Sequence, residues 1–357
     1  MALAITGVLV AALVGWIDGV TGMEVSVALL YLIPVLITAW LLGRWAGIAL
    51  SAQCAIEGIL AGQTDGMLHS NPAIQYWNAT MMFGFYVAVT LLLVALRDSL
   101  RKEEALAREI QQNLLPGTLD LSPALTVAAA WRPSIHVSGD YYDIFPLGED
   151  RYAFCIADVS GHGMAAALLM SNVQSAVRIL ASNRVAPSEI CARLNSRACT
   201  RYPDGVFLTF FFGILHARTG QITYCNAGHN LPVIVHKNRT AEFLRGGGVP
   251  LGIVPTWTYE DESVFLQPGE TIFLYTDGVT EARNLPGELF GESRLIDILT
   301  SIPSGAPGRM KDSVLSAVEA YSQGHVDDDI TLLCIALNEG VMPEDLPRKP
   351  TALAMQR

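Results

Sequence analysis

Four short acidic motifs, each at the end or start of an apolar run, are the parts of this sequence best suited to chemistry. They are SGDYYD with Asp140, CIADVSGHG with Asp158, LYTDG with Asp277 and HVDDDIT with Asp328. The apolar runs read as β-strands, and the short aspartate side chains at rigid strand ends can converge from adjacent strands. Oxygen-only ligands of this kind suit hard cations such as Mg²⁺ or Mn²⁺. Together the motifs predict a divalent-metal site.

Each motif alone has a more ordinary interpretation, because Asp and Gly dominate turns. Four of them beside apolar strands favour a metal site, but their spacing does not name a reaction. A phosphatase, a nucleotidyl cyclase and a phosphodiesterase are all compatible with it. The sequence contains no P-loop, GxGxxG or GGDEF-type motif, which disfavours a nucleotide cofactor and a cyclase.

The elements that must position these aspartates occupy a mixed segment over 117–338. The runs TVAAAW, YYDIFPL, YAFCIADV, VFLTFFFGILHA and GQITYCNAG predict strands, VFLQPGETIFLYTDG predicts two more, and DITLLCIAL predicts the last. Amphipathic helices are predicted for MAAALLMSNVQSAVRIL and PSEICARLNSRACT, and near 291–301 and 307–322. Strands and helices in separated runs indicate an α+β layered sandwich rather than a doubly wound sheet.

The first 96 residues have a different composition. They contain four apolar runs, near 3–20, 25–43, 46–62 and 76–96. Each has roughly the 17–21 residues needed to cross a bilayer. A hydrophobic content of 51% with only 16% charged residues also predicts a chain that lies partly in lipid. We therefore expect an all-α transmembrane domain over 1–96.

Loop charges predict the orientation of this domain. Arg44 lies between the second and third runs, and Arg97, Arg101 and Lys102 follow the fourth. The opposite loops carry acidic residues and no Lys or Arg. The positive-inside rule then places both termini and the mixed segment over 117–338 in the cytoplasm, with the protein in the cell (inner) membrane.

Residues 97–116 form a predicted linker helix. An apolar stripe at three- and four-residue steps includes Leu100, Ala107, Ile110 and Leu114, and the helix ends at Pro116. A plain linker and a signalling helix that pairs with a second copy are equally compatible with this stripe. A homodimer through this helix is thus one possible assembly.

The remaining features limit the classes of partner. The formal net charge of −11 argues against nucleic acid as a partner. None of the six cysteines forms a CxxC pair, so neither a disulfide framework nor a zinc site is expected. The segment 339–357 lacks periodicity and predicts a disordered tail.

A resemblance narrows the function. The ordered set LLP, GDYYD, DVSGHG, LTFFFG, NAGHN, PLGI, LYTDGVTEARN, FG and DDIT closely resembles the SpoIIE/RsbU-like branch of the metal-dependent protein phosphatase (PPM) family, over about 110–337. The resemblance implies an αββα sandwich with two divalent cations, Mn²⁺ or Mg²⁺, at one end. It implies hydrolysis of phosphoserine or phosphothreonine in a regulatory protein, typically an anti-sigma factor antagonist.

The resemblance also implies roles for individual residues. Asp158 bridges the two cations, assisted by the backbone carbonyl of Val159. Asp277 and Asp328 complete the cluster, and Asp140 holds a cation directly or through water. The carboxylates of Asp143, Asp327 and Asp329 are less clearly assigned. Ser138 stands where the family usually has glycine. A hydroxide bridging the cations then attacks the phosphate in line, without a phosphoenzyme.

Three further side chains are candidates for substrate binding. His162 could donate a proton to the leaving oxygen or simply anchor the turn before a helix. Arg132 and Arg283 could each hold the substrate phosphate or serve as ordinary surface residues. A different class of function is a non-catalytic membrane receptor that uses a phosphatase-like domain for binding. The complete set of aspartates argues against it.

Overall fold

The computed structural model describes residues 2–21, 28–64, 72–117, 119–182, 184–325 and 327–339. The chain divides into two compact units, Met1–Leu106 and Ala107–Arg357, each with its own apolar core. The disordered tail predicted for 339–357 lies, apart from Glu339, outside the described residues.

The first unit is helical. It contains α1 (Ala2–Thr21), a 3₁₀ turn (Ala28–Tyr31), α2 (Leu32–Leu42), α3 (Arg44–Thr64) and α4 (Pro72–Leu114), whose last residues belong to the second unit. A helix thus lies at each of the four predicted apolar runs. Gly43, with a φ of 90°, ends α2 and lets α3 begin one residue later. The predicted linker helix is the continuous C-terminal part of α4.

Small residues let the helices of this unit approach closely. A Cβ added to Gly7 would lie 2.6 Å from Thr38 Oγ1, and one added to Gly47 would lie 2.7 Å from Thr90 Cγ2. The interior between the helices is apolar, with Ala11, Val14, Tyr31, Val35, Leu50, Cys54 and Tyr86. Backbone contact through glycine is a common way for helices to pack in an apolar environment.

The stretch Tyr76–Leu114 is, among the described residues, the helix that is long and apolar enough to cross a membrane by length and composition. The apolar stretches Ile5–Ile17 and Leu29–Leu42 are shorter. A helix thus lies at the position of each of the four predicted spans. Among the described helices, however, it is α4 that has the length and composition expected of a membrane span.

Over the residues that the structure describes, the second unit contains ten strands in two antiparallel sheets. Sheet A has the order β1-β10-β9-β6-β7 and sheet B the order β2-β3-β4-β5-β8. The strands are β1 (Leu125–Arg132), β2 (Tyr141–Gly148), β3 (Arg151–Val159), β4 (Leu208–His216), β5 (Gln221–Ala227), β6 (Val233–Val235), β7 (Ala241–Phe243), β8 (Glu262–Phe265), β9 (Thr271–Tyr275) and β10 (Ile330–Leu337). The helices are α5 (Met164–Leu180), α6 (Pro187–Arg201), the short α7 (Asp277–Thr280), α8 (Gly291–Ser301) and α9 (Pro307–Ser322).

The sheets pack face to face and each carries helices on its outer face, α5 and α6 on sheet B and α8 and α9 on sheet A. The alternation of side chains along β10 shows the layers directly. Leu333 and Ile335 join the core between the sheets, while Leu332 and Cys334 join the core beneath α8 and α9. Burial of one large apolar side chain stabilises the fold by about 1.5–3 kcal/mol. A strand that is buried on both faces therefore contributes strongly to the stability of the domain. The predicted α+β sandwich is confirmed.

The predicted helices and the longer strands of this unit lie where the sequence indicated them. The two strands around Pro268–Gly269 do not pair with each other, because β8 pairs with β5 in sheet B while β9 pairs with β6 and β10 in sheet A. The three-residue strands β6 and β7 and the short α7 have no counterpart among the predicted elements, because they are too short for a periodic signal.

Candidate metal centre

Strand pairing brings the four predicted aspartates to one end of the sandwich. Asp140 precedes β2 and Asp158 lies near the end of β3, and these strands pair with Tyr141 opposite Ala157. Asp277 follows β9 and Asp328 precedes β10, and these strands pair with Leu332 opposite Tyr275. Each sheet therefore contributes two of the aspartates.

The carboxylates are close enough to disfavour each other's charge. Burial, followed by the charges of Asp277 and Asp328, raises the pKa of Asp158 to about 7. Burial, followed by the charge of Asp328, raises the pKa of Asp277 to about 6. Burial and then Asp158 raise the pKa of Asp140 well above its usual value, and burial raises that of Asp328. Such a cluster is short of positive charge.

Asp140 is held in place by hydrogen bonds from both sheets. Its side chain is buried, and its Oδ2 accepts a hydrogen bond from Thr276 Oγ1 at 2.8 Å. Thr276 Oγ1 in turn accepts one from the backbone N–H of Thr331 at 3.0 Å. The backbone N–H of Asp140 donates to Ser138 Oγ at 3.0 Å. The hydroxyl of Ser138, where the family usually has glycine, therefore supports this loop.

Two glycines of the motifs are required by close backbone approaches. A Cβ on Gly139 would lie 2.9 Å from the carbonyl oxygen of Val159. A Cβ on Gly278 would lie 2.0 Å from the carbonyl oxygen of Asp329, far inside contact distance. The glycines of SGD and TDG therefore let the four acidic loops meet in two pairs.

Asp329 locks the loop that carries Asp140. Its Oδ1 accepts hydrogen bonds from the N–H and Oγ of Ser134 at 2.7 and 2.9 Å, and its Oδ2 accepts one from the N–H of Gly139 at 3.0 Å. Both carboxylate oxygens are thus engaged by protein donors. Within the DDD run, the charges of both Asp328 and Asp329 act on Asp158, but the carboxylate of Asp329 is already bonded to Ser134 and Gly139, which leaves Asp328 as the candidate ligand.

The Asp329→Asn variant is expected to weaken Mn²⁺ binding by about tenfold or more, since hydrogen-bond partners of ligand-bearing segments typically have effects of this size. The amide nitrogen would face the N–H of Gly139 or of Ser134 and loosen the loop before Asp140. Isothermal titration calorimetry with Mn²⁺ measures the change. Asp297→Asn, at an exposed aspartate of α8, is the matched control. Equal affinities in the two variants would contradict the positioning role of Asp329.

Asp143, the other acid of GDYYD, lies apart from the cluster. It is fully buried and accepts hydrogen bonds from Arg178 of α5 at 2.6 and 2.7 Å and from the Tyr141 hydroxyl at 2.7 Å. The Arg178 guanidinium also lies 4.2 Å from the centre of the Phe145 ring. Asp143 therefore clamps α5 onto β2 and is not available as a metal ligand.

The three candidate substrate-binding residues have different surroundings. His162 is exposed, and its charge favours the ionised form of Asp328, lowering that pKa. Arg283 lines a cavity of about 130 Å³ together with Glu281, His325, Asp327 and Asp328. Arg132 is ion-paired with Glu319 of α9 and is not among the residues that line this cavity. The structure therefore favours Arg283 over Arg132 as a phosphate contact.

His229 of the NAGHN motif braces a loop next to Asp158. Its backbone N–H and carbonyl are both bonded to the side chain of Asn226, and its Nδ1 lies 2.7 Å from Oγ1 of Thr209, the residue paired with Asp158. Burial lowers the pKa of His229 to about 3, so the ring is neutral. This agrees with a bracing role.

Gln111 connects the end of α4 to the Asp140 loop, and the sequence analysis did not identify it. Its side chain is buried, accepts a hydrogen bond from the N–H of Ser138 at 3.0 Å and donates one to the Ser138 carbonyl at 2.9 Å. A second donor contact, at 3.4 Å, reaches the carbonyl of Ala167 in α5. The sequence signal that could have identified Gln111 is a polar residue within the apolar stripe, four residues after Ala107 and three before Leu114.

The donor set fits hard divalent cations, because every converging side chain is a carboxylate and the cluster has an excess of negative charge. In the described part of the chain, no three carboxylate, imidazole or thiol groups already stand at chelating distance from a single point. Asp158, Asp277 and Asp328 are the residues whose carboxylates would hold an ion at this end of the sandwich.

Comparisons with known proteins agree with this architecture. The family described as Stage II sporulation protein E (SpoIIE) matches residues 148–338, more than half of the chain. Protein IcfG of Synechocystis sp. is 31% identical over 80% of this chain, which spans 50% of IcfG. Phosphoserine phosphatase RsbU of Bacillus subtilis is 28% identical over 68% of this chain and 72% of its own length.

Solved structures include the RsbU and RsbW domains of Rv1364c from Mycobacterium tuberculosis. That structure superposes with a TM-score of 0.55 at 28% identity, over 63% of this chain and 62% of the other. The chain thus spans about half the length of IcfG and 72% of the length of RsbU. On the family match, which lies within its second unit, the chain belongs to the SpoIIE family.

Proposed function

We propose that this chain is a membrane-bound, metal-dependent serine/threonine protein phosphatase that acts on a phosphorylated regulatory protein in bacterial signal transduction. The observation that carries the proposal is the convergence of Asp140, Asp158, Asp277 and Asp328 at one end of the sandwich, where they raise one another's pKa values. The match to the SpoIIE family and the likeness to RsbU support the same reaction. By analogy with RsbU-type proteins, the substrate is an anti-sigma factor antagonist-like phosphoprotein.

Each residue of the cluster has a definite task in this proposal. Asp158, Asp277 and Asp328 would hold two divalent cations, Mn²⁺ or Mg²⁺, with Asp140 and the carbonyl of Val159 as further ligands. When bound, such a pair of cations supplies a hydroxide at neutral pH and neutralises the phosphate. Arg283, beside Asp328, would orient the phosphate through its guanidinium. His162, exposed next to Asp328, would lie on the leaving-group side.

Membrane attachment is supported by the surface of the first unit. Large apolar side chains cover its exterior, including Leu9, Trp16, Leu29, Trp45, Trp77 and Leu92. Monomeric soluble proteins rarely expose so many large apolar side chains together, and such a surface marks contact with lipid or another protein. With the positive-inside pattern, this supports a multi-pass domain in the inner membrane and a catalytic domain in the cytoplasm.

The test is Mn²⁺-dependent phosphate release by the full-length protein in detergent micelles. Two substrates are used, p-nitrophenyl phosphate and a phosphoserine-containing anti-sigma factor antagonist. Release that requires both Mn²⁺ and Asp158 is the expected result. Binding of the phosphoprotein without release from either substrate would instead support a non-catalytic receptor.

An insertion of one alanine between Glu104 and Ala105 is expected to change phosphatase activity at least about threefold. One extra residue rotates the preceding helix by about 100° relative to the segment that carries Gln111. Gln111 is hydrogen-bonded to both backbone groups of Ser138. A rotation of the helix would therefore strain the loop before Asp140. Phosphate release by the full-length protein measures the effect.

A seven-residue insertion at the same point is the control, since two helical turns nearly restore the phase. It is expected to return activity towards the wild-type value. Equal activity in the wild type and both insertion variants would show a passive linker. The exposed apolar side chains of Leu96, Leu100 and Ile110 on α4 also support a homodimer through this helix.

A further inference from the structure

A hairpin over 282–290 projects from the second unit directly after α7. Its two ends are fixed in the protein interior, where Ala282 and Phe290 are buried. The N–H of Phe290 donates to the carbonyl of Ala282 at 2.8 Å, and Arg283 and Leu289 form a bridge above this pair. The Tyr321 ring packs edge-on against Phe290, with ring centres 5.4 Å apart.

The tip of this hairpin is ordered by its own hydrogen bonds. The side chain of Asn284 accepts a hydrogen bond from the N–H of Glu288 at 2.8 Å and donates one to Glu288 Oε2 at 3.0 Å. The N–H of Gly287 donates to the Asn284 carbonyl at 2.8 Å. A short exposed loop with this many internal bonds keeps one conformation in water.

The side chains at this ordered tip are apolar and exposed. Leu285 is 71% exposed, Leu289 is 44% exposed, and Pro286 between them is also exposed. A single exposed leucine on a protein surface needs no explanation. Three apolar residues within five positions, on a hairpin whose tip is held by hydrogen bonds between Asn284 and Glu288, indicate a surface made for contact.

The hairpin begins at the metal centre. Glu281, the residue before it, is close enough to raise the pKa values of Asp277 and Asp328. Arg283 lines the 130 Å³ cavity that also contains Asp328. The Cα atom of Leu285 is two residues further on, at most about 7–8 Å from that of Arg283. An extended peptide covers this distance in two to three residues.

We propose that Leu285 determines specificity for the protein substrate by packing against an apolar side chain that lies within four residues of the phosphoserine. The inference rests on the proposed phosphatase function, because it takes the phosphate to be bound beside Arg283 and Asp328. The occupant is an extended segment of the phosphoprotein, since Arg283 lines the cavity beside Asp328 and Leu285 is two residues further along the hairpin. Exposed Glu281, Asp327 and Glu288 along this path disfavour an acidic segment.

The experiment measures kcat/KM of the full-length protein on an oriented phosphoserine peptide library, with p-nitrophenyl phosphate as the reference substrate. We expect the wild type to prefer leucine, isoleucine or valine at one position within four residues of the phosphoserine. In Leu285→Ser, the preference for the apolar over the serine-containing peptide is expected to fall about five- to tenfold, as one lost apolar contact allows. Leu285→Met is expected to retain the preference.

Ile179→Ser is the matched control, because Ile179 is an exposed apolar residue in the last turn of α5, about 22 Å along the helix from Met164. It is expected to leave the library profile as in the wild type. The proposal is overturned if Leu285→Ser keeps the wild-type profile, or if an active wild type shows no apolar preference. Absence of Mn²⁺-dependent release from p-nitrophenyl phosphate as well would overturn the phosphatase function and the docking role with it.

Discussion

The Asp158→Asn variant is expected to lose Mn²⁺-dependent phosphate release by about 10³-fold or more. The charge of Asp158 interacts with Asp140, which precedes a strand of sheet B, and with Asp277 and Asp328, which flank strands of sheet A. An amide keeps the shape of the side chain but removes the negative charge that two cations require. Phosphate release from p-nitrophenyl phosphate over a range of Mn²⁺ concentrations measures the loss. Activity within tenfold of the wild type would remove Asp158 from the proposed cluster.

The same substitution is expected to raise the melting temperature of the metal-free protein by about 3–6 °C at pH 8. The pKa of Asp158 is raised to about 7 in the folded protein, so its ionisation there opposes folding. This cost is present above about pH 7 and vanishes below about pH 4, where the carboxyl is protonated in both states. Removing it gains about 1–2 kcal/mol, and a domain of this size shifts by about 2–4 °C per kcal/mol.

A melting temperature that falls in Asp158→Asn, or rises equally at pH 4 and pH 8, would contradict this electrostatic account. Glu292→Gln, at an exposed carboxylate in the first turn of α8, is a suitable control. Loss of activity together with gain of stability would show that the cluster is maintained for its chemistry at the expense of the fold.

The Arg178→Met variant is expected to lower the melting temperature of the catalytic domain by about 6–12 °C. It leaves the fully buried carboxylate of Asp143 with hydrogen bonds from the Tyr141 hydroxyl and the Ile144 N–H but without its cation. Removing one partner of a buried ion pair costs about 3–5 kcal/mol, and the partial exposure of Arg178 places the expected cost near 3 kcal/mol. Differential scanning calorimetry measures the shift.

Two further variants separate this effect from a general loss of arginine. Arg218→Met removes an Arg–Asp pair with Asp150 in which both side chains are about half exposed, and it is expected to cost less than about 1 kcal/mol. Adding Asp143→Asn to Arg178→Met is expected to recover about half of the loss, since the buried charge is then removed. Equal destabilisation by Arg178→Met and Arg218→Met would show that the buried ion pair contributes no more to the free energy of unfolding than the exposed one.

The sequence was sufficient for the features that depend on local pattern. The apolar runs that end in Asp158 and Asp277 identify β3 and β9, and helical periodicity identifies α5 and α9 with their ends. The motif resemblance supplied the metal ligands, which remain a prediction, together with the sandwich that the structure confirms. These features are readable because each is encoded within about twenty consecutive residues.

The features that were not predicted depend on contacts between distant segments. Asp329 bonds Ser134 and Gly139 across about 190 residues, and nothing in the DDD run distinguishes it from Asp328. The carboxylate of Asp143 belongs to Arg178 rather than to the cluster, although it shares a motif with Asp140. Which sheet receives each strand beside Pro268–Gly269 is decided by the packing of the whole domain.

The pairing of β1 with β10 has a consequence for how the protein is made. These strands are the first and last of the catalytic domain, and Leu125 lies opposite Leu337. On the ribosome, the nascent chain therefore cannot close sheet A, or present Asp328 to Asp158, until Leu337 has left the exit tunnel. Such non-local pairing also slows folding. The four aspartates therefore cannot come together until synthesis of the domain is complete.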